Sequence, residues 1–387
     1  MQRFYFDHNA TTPVSSFVLA GLRAVLESEF GNPSSIHQEG QRARRLLDEA
    51  RSRVAQLLGA HPREIVFTSG GTEAANLALF GVMRRAAPGA HLIISAIEHP
   101  AVLNAAAQLE REGYRVTRLP VDSRGLVDPD DVRRALRPET RLISIMHANN
   151  ETGVIQPVPQ IAEIARQAGV RFHSDGVQSL GRIGVNVRDL GVDLFSLSAH
   201  KIYALKGAGA LYVRPGVELA PLLAGGRHEH GLRAGTENVA GIVALGLAAE
   251  ETSQRTAMDA ARLEALRRRL ERAVVSQIPD VRLLGEQAPR VPNTANFCFS
   301  GIEAEALVIA LDLAGFAVST GAACSSGAVE PSHVLLAMGL TREEAKSSIR
   351  ISLGRSNDEQ QVDALAEALV SAVTRLRKLS PSYCAHA

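Results

Sequence analysis

Short apolar runs alternate with longer amphipathic stretches along most of the chain. Val192 to Leu197 is apolar apart from Asp193 and Ser196, a pattern typical of a short buried strand. Gln38 to Leu58 is instead a charged stretch in which leucine and valine recur at roughly helical spacing. Strands and helices that alternate in this way, without an internal repeat, predict an α/β fold with a mixed, mostly parallel sheet.

The same pattern predicts the bounds of the other elements. Further strands are predicted at Phe4 to Phe6, Glu64 to Thr68, His91 to Ala96, Arg115 to Val121, Thr140 to His147, Val170 to His173, Thr294 to Phe299 and Phe316 to Ser319. Helices are predicted at about Ser16 to Ser28, Gln38 to Leu58, Glu73 to Arg85, Ile161 to Ala168, Met258 to Val275 and Glu303 to Ala314. We expect a large domain over residues 13–257 and a smaller α/β domain formed by residues 1–12 and 258–387.

Polar residues gather directly after the carboxyl ends of several predicted strands. His99, Asn150, Asp175, Gln178 and Lys201 all occupy such positions. Ligands of open α/β sheets bind at this edge, so we expect these residues to converge on one site. Each also has an ordinary structural interpretation, since a histidine or an aspartate can cap a helix and Asn-Asn-Glu-Thr-Gly can form a turn.

A glycine-rich turn, Ser69-Gly70-Gly71-Thr72, lies between a predicted strand and a predicted helix. The backbone N–H groups of such a turn and of the helix N-terminus point at one spot, and glycines allow a phosphate to come close. A turn in which Thr72 caps the helix would explain the same residues without a ligand. The turn is not a Walker loop, because no Gly-Lys-Ser/Thr follows at the right spacing.

Lys201 ends the segment Ser198-Ala199-His200-Lys201, just after a predicted strand. Burial and nearby cationic charge would lower the pKa of such a lysine, which could then form a Schiff base with an aldehyde cofactor. A lysine exposed in a surface loop is the alternative. A pyridine aldehyde phosphate needs an anion-binding turn, a lysine, an acid for its ring nitrogen and a flat group against its face, and the chain contains all four.

Composition narrows the class of protein. Among the 387 residues, 42 Lys and Arg nearly balance 41 Asp and Glu, so no charge excess suggests a nucleic acid or an anionic membrane as partner. No apolar run reaches membrane-spanning length and the first residues lack a signal-peptide pattern, so we expect a cytoplasmic protein. The three cysteines, Cys298, Cys324 and Cys384, are too few and too scattered for a disulfide framework or a zinc site, and no other metal site is expected.

Cys324 lies within a run of glycine, alanine and serine from Thr320 to Pro331, which predicts a loop rather than a packed element. A loop cysteine suits sulfur transfer, because its thiolate could attack a substrate sulfur and then carry that sulfur to an acceptor. A small buried residue is the alternative for Cys324. Cys298 lies inside a β-pattern and is expected to be a core residue, whereas Cys384 has no assigned role.

Together these segments resemble the motifs of group I cysteine desulfurases, the NifS/IscS type of fold-type I pyridoxal-phosphate (PLP) enzymes. The matching segments, in the order of the family, are Phe6-Asp7-His8-Asn9-Ala10-Thr11-Thr12-Pro13, Gly31-Asn32-Pro33-Ser34-Ser35, Phe67-Thr68-Ser69-Gly70-Gly71-Thr72-Glu73, Glu98-His99, Asn149-Asn150-Glu151-Thr152-Gly153, Ser174-Asp175, Ser198-Ala199-His200-Lys201, Arg233-Ala234-Gly235-Thr236-Glu237-Asn238 and Gly321-Ala322-Ala323-Cys324-Ser325-Ser326-Gly327. So many ordered motifs make the resemblance specific.

The resemblance implies a role for each matching residue. Lys201 would hold PLP covalently, Asp175 would keep the pyridine nitrogen protonated, and His99 would stack on the ring and assist proton transfer. Gln178 would face the phenolic oxygen of the cofactor. The other implied cofactor contacts are Gly71, Thr72, Asn150, Ser198, His200 and Thr236.

Substrate and partners follow from the same resemblance. Arg350, with Asn150, would bind the carboxylate of L-cysteine, because a guanidinium binds a carboxylate bidentately. Thr236 would reach the phosphate of a neighbouring subunit, which implies a homodimer. The implied reaction gives L-alanine and a persulfide on Cys324, whose sulfur would pass to an acceptor such as an iron–sulfur scaffold protein.

Two alternatives to this function remain open. One is a different PLP-dependent lyase on the same fold, such as a selenocysteine lyase, and the other is an inactive sulfur-trafficking scaffold. The sequence departs from the family pattern at His8, at Ala204-Leu205 and from Gly226 to His230. These departures leave the predicted lysine, aspartate and cysteine unchanged and bear on the subunit interface and the sulfur acceptor.

Overall fold

The structure, a computed structural model, describes residues 3–320, 330–379 and 383. Cys324 and Cys384 therefore lie outside the described residues. Strands and helices are numbered in chain order.

A seven-stranded sheet forms the centre of the larger part of the described chain. In spatial order its strands are β2 (Ile65–Thr68), β8 (Gly209–Val213), β7 (Leu194–Ser198), β6 (Arg171–Asp175), β5 (Thr140–Ser144), β3 (His91–Ser95) and β4 (Arg115–Leu119). The five strands from β7 to β4 pair in parallel, and β8 is antiparallel to both of its neighbours. The predicted mixed, mostly parallel sheet is confirmed.

Helices cover both faces of this sheet. Those of the first half of the chain are α1 (Ser16–Ser28), α2 (Gln38–Leu58), α3 (Gly71–Met83), α4 (Pro100–Arg111), α5 (Pro129–Ala135), α6 (Val158–Gln167) and α7 (Val187–Leu190). On β3, Ile93 packs in the cluster of α1, α2 and α6, whereas its neighbours Leu92 and Ile94 pack in the cluster of α3 and α4. Successive side chains of a strand point to opposite faces, so a strand covered on both sides has to be apolar throughout.

Helix α8 (Val239–Gln277) is 39 residues long and crosses the predicted domain boundary at residues 257 and 258. Its first half, with Leu245 and Ala248, packs in the core of the large sheet. Its second half, with Leu263 and Leu270, packs in a separate hydrophobic cluster that also contains Phe6. The predicted helix from Met258 to Val275 is thus the second half of a continuous helix, and the assignment of domains stays a prediction. Of the helices in the described ranges, none is both long and apolar enough to cross a membrane.

The second cluster is built on small sheets. Strand β10 (Thr294–Phe299) lies between β9 (Val281–Leu283) and β12 (Ser348–Ser352), antiparallel to both, and β1 (Phe4–Tyr5) pairs in parallel with β11 (Phe316–Ala317). The remaining helices are α9 (Ala304–Leu313), α10 (His333–Ala337), α11 (Arg342–Lys346) and α12 (Glu359–Leu379).

The segment after β1 joins the two clusters. The backbone N–H of His8 donates to the carbonyl of Ser352 on β12, at 3.1 Å. Four residues later, the N–H of Thr12 donates to the carbonyl of His200, at 2.9 Å, close to the end of β7. The N-terminal segment therefore lies at the same sheet edge as the predicted site residues.

Gly176 follows Asp175 at the end of β6, and a Cβ at this position would lie 1.8 Å from Cζ of Phe195. We expect Gly176→Ala to lower the free energy of unfolding by about 1–3 kcal/mol through overpacking. Gly184 is a matched control, because a Cβ there would meet no atom within 4 Å. Chemical denaturation of the two variants measures the difference, and equal stabilities would contradict this account of the packing behind Asp175.

Candidate active site

The carboxyl ends of the central strands open into one cavity of about 390 Å³. Of the predicted site residues, it is lined by Gly71, Thr72, His99, Asn150, Asp175, Gln178, Ser198, His200 and Lys201. Thr236 is exposed and does not line this cavity, and Arg350 is buried next to Asn150. Cys324 lies outside the described residues. The structure thus brings together residues that are more than 120 positions apart in the chain.

Helix α3 begins at Gly71, after Gly70, and no side chain caps its N-terminus. The alternative in which Thr72 caps this helix is therefore wrong. The first N–H groups of a helix have no intrahelical acceptor, so this end of the cavity is suited to an anion. A Cβ on Gly71 would come within 2.7 Å of Val177 and 3.4 Å of Ser198, so glycine keeps the space between the turn and Ser198 open.

Lys201 lies in a short 3₁₀ turn, Ala199–Lys201, directly after β7. Its side chain is half-buried, and Nζ donates to the backbone carbonyls of Asn9 and Ala10. Burial lowers the pKa of Lys201 to about 7, helped by the cations Arg182 and Arg350 and opposed by nearby carboxylates. The alternative of a lysine exposed in a surface loop is wrong, because Lys201 lines the cavity and two backbone carbonyls hold its amine.

Asp175 ends β6 and is 6% exposed. One oxygen, Oδ1, accepts the N–H of Val177 at 2.9 Å, in a turn rather than at the start of a helix, so the helix-cap alternative is wrong. Burial raises the pKa of Asp175 to about 6, and the positive charge of Lys201 opposes this rise. A buried carboxylate of this kind favours a cationic partner in the cavity.

His99 is the N-cap of α4, and its Nδ1 accepts the N–H of Ala101 at 3.1 Å. The structural interpretation as a cap is therefore correct, but the ring also lines the cavity. The surrounding protein atoms lower the pKa of His99 to about 4, with smaller contributions from Lys201 and His333, although the residue is exposed at the cavity mouth. The ring is thus neutral at pH 7, and because Nδ1 accepts a hydrogen bond, Nε2 carries the hydrogen.

Gln178 and Arg350 both contact the N-terminal segment. Nε2 of Gln178 donates to the carbonyl of Asn9 at 3.0 Å, and its Oε1 is buried with no partner among the described residues. The Arg350 guanidinium donates to Oδ1 of Asp7 at 2.6 Å and to the carbonyl of Asn150 at 3.0 Å. Asp7 as a partner of Arg350 was not expected from the sequence, and the substrate-binding role of Arg350 stays a prediction.

Several groups in this region escaped the sequence analysis. Lys206 lines the cavity near the glycine turn, and its position in the same glycine-containing segment as Lys201 was a usable signal. Burial lowers the pKa of His200 to about 4, and the positive charges of Lys201 and Lys206 add to the effect. Asn9 lies in the family motif from Phe6 to Pro13, but its contact with Lys201, like the contact of Arg182 with Asn9, arises only in the tertiary structure.

Glu98 is a fully buried carboxyl beside His99. Its Oε1 accepts hydrogen bonds from Oγ of Ser95 at 2.5 Å and from the N–H of Met146 at 2.9 Å. Burial raises the pKa of Glu98 to about 8, and the charge of Asp175 adds to the rise. Glu98 is therefore mostly neutral at pH 7, which leaves Asp175 as the ionised member of the pair.

Three comparisons with known proteins show which family the chain belongs to. The family model for Aminotransferase class-V matches residues 4–365 of the chain. A cysteine desulfurase IscS of Dictyoglomus turgidum is 47% identical over 378 residues, which cover 97% of this chain and 96% of that protein. A cysteine desulfurase IscS 1 of Archaeoglobus fulgidus is 44% identical over 380 residues, covering 98% and 99%. A solved structure of a NifS-like protein matches with a TM-score of 0.90 and 37% identity, covering 97% of this chain and 100% of that chain.

The α/β fold with a polar cavity at the sheet edge and the matching family model define the class: the chain belongs to the aminotransferase class-V family. Within it the chain is a member of the NifS/IscS-type cysteine desulfurases, and the resemblance predicted from its motifs is confirmed. Enzymes of this family depend on PLP.

The raised pKa of Glu98 predicts a pH-dependent stability. A carboxyl that binds its proton more tightly in the folded state loses stability as pH rises from its ordinary pKa to its folded pKa of about 8. Glu98→Gln removes this dependence, so the variant should gain about 1–3 kcal/mol on the parent between pH 5 and pH 8. Denaturant titrations of both proteins across this range test the sign, and a pH-independent difference would contradict it.

Proposed function

We propose that this chain removes sulfur from L-cysteine in a PLP-dependent reaction that gives L-alanine and a persulfide on Cys324. One observation carries the proposal. Lys201, Asp175, His99 and the uncapped N-terminus of α3 share a single cavity, in a chain that is 47% identical to a protein named cysteine desulfurase.

PLP suits the charges and hydrogen-bonding groups of this cavity. Its phosphate would accept hydrogen bonds from the first N–H groups of α3, from Ser198 and from His200, which lie at one end of the cavity. Its ring nitrogen would pair with Asp175, and its face would lie against the neutral ring of His99. Gln178 has a second amide hydrogen besides the one it donates to Asn9, and this hydrogen would serve the phenolic oxygen. When bound, PLP withdraws electrons from Cα of an amino acid.

Lys201 is the group that would move the substrate proton. A pKa of about 7 lets the amine accept a proton and return it at neutral pH, which an ordinary lysine does poorly. Asp175 has a pKa of about 6 and gains further stabilisation as an anion when a cation binds beside it. The reaction requires an amine that can accept a proton and an anionic carboxylate, and Lys201 and Asp175 would supply these two forms.

Arg350, with Asn150, would bind the carboxylate of L-cysteine. The guanidinium is buried close to the cavity wall and holds the carboxylate of Asp7. Its Nε has no hydrogen-bond partner in the described part of the chain, so the guanidinium retains unused donor capacity. A second carboxylate would compete with or complement Asp7 at this cation.

The roles of Cys324 and of a second subunit complete the proposal. The thiolate of Cys324 would attack the sulfur of the substrate, and the new S–S bond would form as the Cβ–S bond of the substrate breaks. The electron pair of that bond would stay on the carbon fragment, which takes up protons to become L-alanine. The persulfide on Cys324 would then pass its sulfur to an acceptor such as an iron–sulfur scaffold protein. Thr236 is exposed, as expected of a residue that would complete the phosphate site of a second copy. Five large apolar side chains on and after α1 are also exposed, which supports a homodimer: Phe17, Leu19, Leu26, Phe30 and Ile36.

Replacement of Cys324 tests the proposed reaction. We expect the parent protein to release alanine and sulfide from L-cysteine in the presence of a thiol reductant. Cys324→Ala should keep the visible absorbance of the bound cofactor and lose desulfuration to background, because no other group would accept the sulfur. Cys298→Ala is the matched control, since Cys298 is a core residue on β10 and should be dispensable for turnover. Sulfide release by Cys324→Ala at the parental rate would favour a lyase, and a colourless, inactive parent would favour a scaffold.

Replacement of Arg350 tests substrate binding. Arg350→Lys keeps the charge but loses the two-pronged geometry, so kcat/KM for L-cysteine should fall about 10- to 100-fold, mainly through KM. Arg267→Lys is a control, because Arg267 is also buried and pairs with Glu271, away from the cavity. An unchanged KM in Arg350→Lys would place the carboxylate site elsewhere.

A further inference from the structure

Asn9 is 1% exposed and uses its whole hydrogen-bonding capacity. It makes seven hydrogen bonds. Its N–H donates to Ser352 Oγ (2.9 Å), and its Nδ2 donates to Thr294 Oγ1 (2.9 Å) and to the Asn150 carbonyl (3.1 Å). Its Oδ1 accepts from Asn293 Nδ2 (3.1 Å) and Arg182 Nη2 (3.3 Å), and its carbonyl accepts from Gln178 Nε2 (3.0 Å) and Lys201 Nζ. Because both its backbone and its side chain are hydrogen-bonded, Asn9 is held in a single position and orientation.

Apart from Arg182, the hydrogen-bond partners of Asn9 belong to two groups. Lys201, Gln178 and Asn150 line the cavity. Ser352, Thr294 and Asn293 lie in or next to β12 and β10. Strand β12 also carries Arg350, which donates to the same Asn150 carbonyl as Asn9 does. Asn9 therefore ties three predicted site residues to the element that would bind the substrate carboxylate.

The free amine of Lys201 rests on the backbone of this residue and the next. Nζ donates to the carbonyls of Asn9 and Ala10 and makes no ion pair among the described residues. Two carbonyl oxygens can hold an amine without fixing it as a cation, whereas a carboxylate at the same place would favour the charged form. This contact gives Lys201 a defined position whenever its amine is free.

We propose that Asn9 is a positioning residue for Lys201. The hydrogen bonds of Asn9 fix the carbonyls of Asn9 and Ala10, and the free amine of Lys201 docks on these two carbonyls while it moves the substrate proton. The inference rests on the proposed function, because only turnover of an amino acid frees this amine in the loaded enzyme. It deepens that function by giving the amine a defined position for as long as it is free of the cofactor and moves the substrate proton.

The neutrality of the Asn9 side chain is part of this role. Arg182 is buried, and its hydrogen-bond partners in the described ranges are the carbonyls of His8 and Gln178 and Oδ1 of Asn9, none of them a carboxylate. The unpaired guanidinium helps burial to keep the pKa of Lys201 near 7, together with Arg350 and against Asp7 and Asp175. An amide satisfies Arg182 without adding a negative charge beside Lys201.

The test follows the loaded enzyme by stopped-flow absorbance after mixing with L-cysteine. In Asn9→Ala we expect the resting cofactor band and its first change to match the parent, because Lys201 is not yet free. The later return of the band should slow about 10- to 100-fold, because a misplaced amine transfers the proton more slowly, and KM should change little. Loss of folded protein would lower amplitudes only, so the rate separates positioning from stability.

Two further variants make the result decisive. Asn357→Ala is the matched control, because Asn357 is 2% exposed and also binds the N-terminal strand, through the carbonyl of Tyr5 at 3.0 Å, but makes no hydrogen bond to a predicted site residue within the described ranges. It should lose stability and keep the parental rates. Thr294→Val removes one of the two acceptors of Asn9 Nδ2, together with the hydrogen bond that Thr294 Oγ1 donates to Asn293 Oδ1 at 3.2 Å, and it preserves volume. It should therefore slow the same phase more mildly and serve if Asn9→Ala fails to fold.

The inference is overturned if the cofactor band of Asn9→Ala or Thr294→Val returns at the parental rate. It is also overturned if Asn357→Ala slows the return of the band as much as Asn9→Ala does. A parent whose cofactor band does not respond to L-cysteine overturns both this inference and the proposed function. A parent that releases sulfide, combined with variants that behave like the parent, overturns the role of Asn9 alone.

Discussion

The candidate site depends on keeping the amine of Lys201 half-buried, with backbone carbonyls and no carboxylate as its hydrogen-bond partners among the described residues. Moving a charged amine out of water is unfavourable, so burial alone shifts Lys201 toward its neutral form. The cations Arg182 and Arg350 add to this shift, and the carboxylates Asp7 and Asp175 limit it. The carbonyls of Asn9 and Ala10 then hold the amine through dipoles rather than charge. The outcome of this balance is a well-placed amine that can gain or lose a proton near pH 7.

That balance explains the course of the N-terminal segment. Phe6 packs in the cluster of the small sheets, and within a few residues Thr12 is bonded to the carbonyl of His200 in the large sheet. Asp7 holds Arg350 on one side, and Asn9 holds Lys201 and Gln178 on the other. The cavity therefore depends on contacts between the two hydrophobic clusters, and a change that separates them would disturb the cation and the amine together.

The buried carboxyls follow the same logic. Burial raises the pKa of both Glu98 and Asp175, and the charge of Asp175 adds to the rise for Glu98, so Asp175 ionises at a lower pH than Glu98. Asp175 lines the cavity and can gain a cationic ligand, whereas the hydrogen bonds that Glu98 accepts within the described ranges come from Ser95 and Met146. The environment thus selects Asp175 as the anion, although both residues follow strands in the sequence.

The sequence by itself determined the elements and the class of chemistry, because both depend on local patterns. The bounds of α1, α2 and β10 agree with the predicted ones, and the motifs around Lys201 and Asp175 identified the family. The charged middle of α8 hid its continuity, and the antiparallel pairing of β8 left no local signal. Only the tertiary structure decided that Asp7 pairs with Arg350 and that Asn9 supports Lys201. These partners lie 343 and 192 residues apart, and such contacts arise from the packing of elements rather than from spacing along the chain.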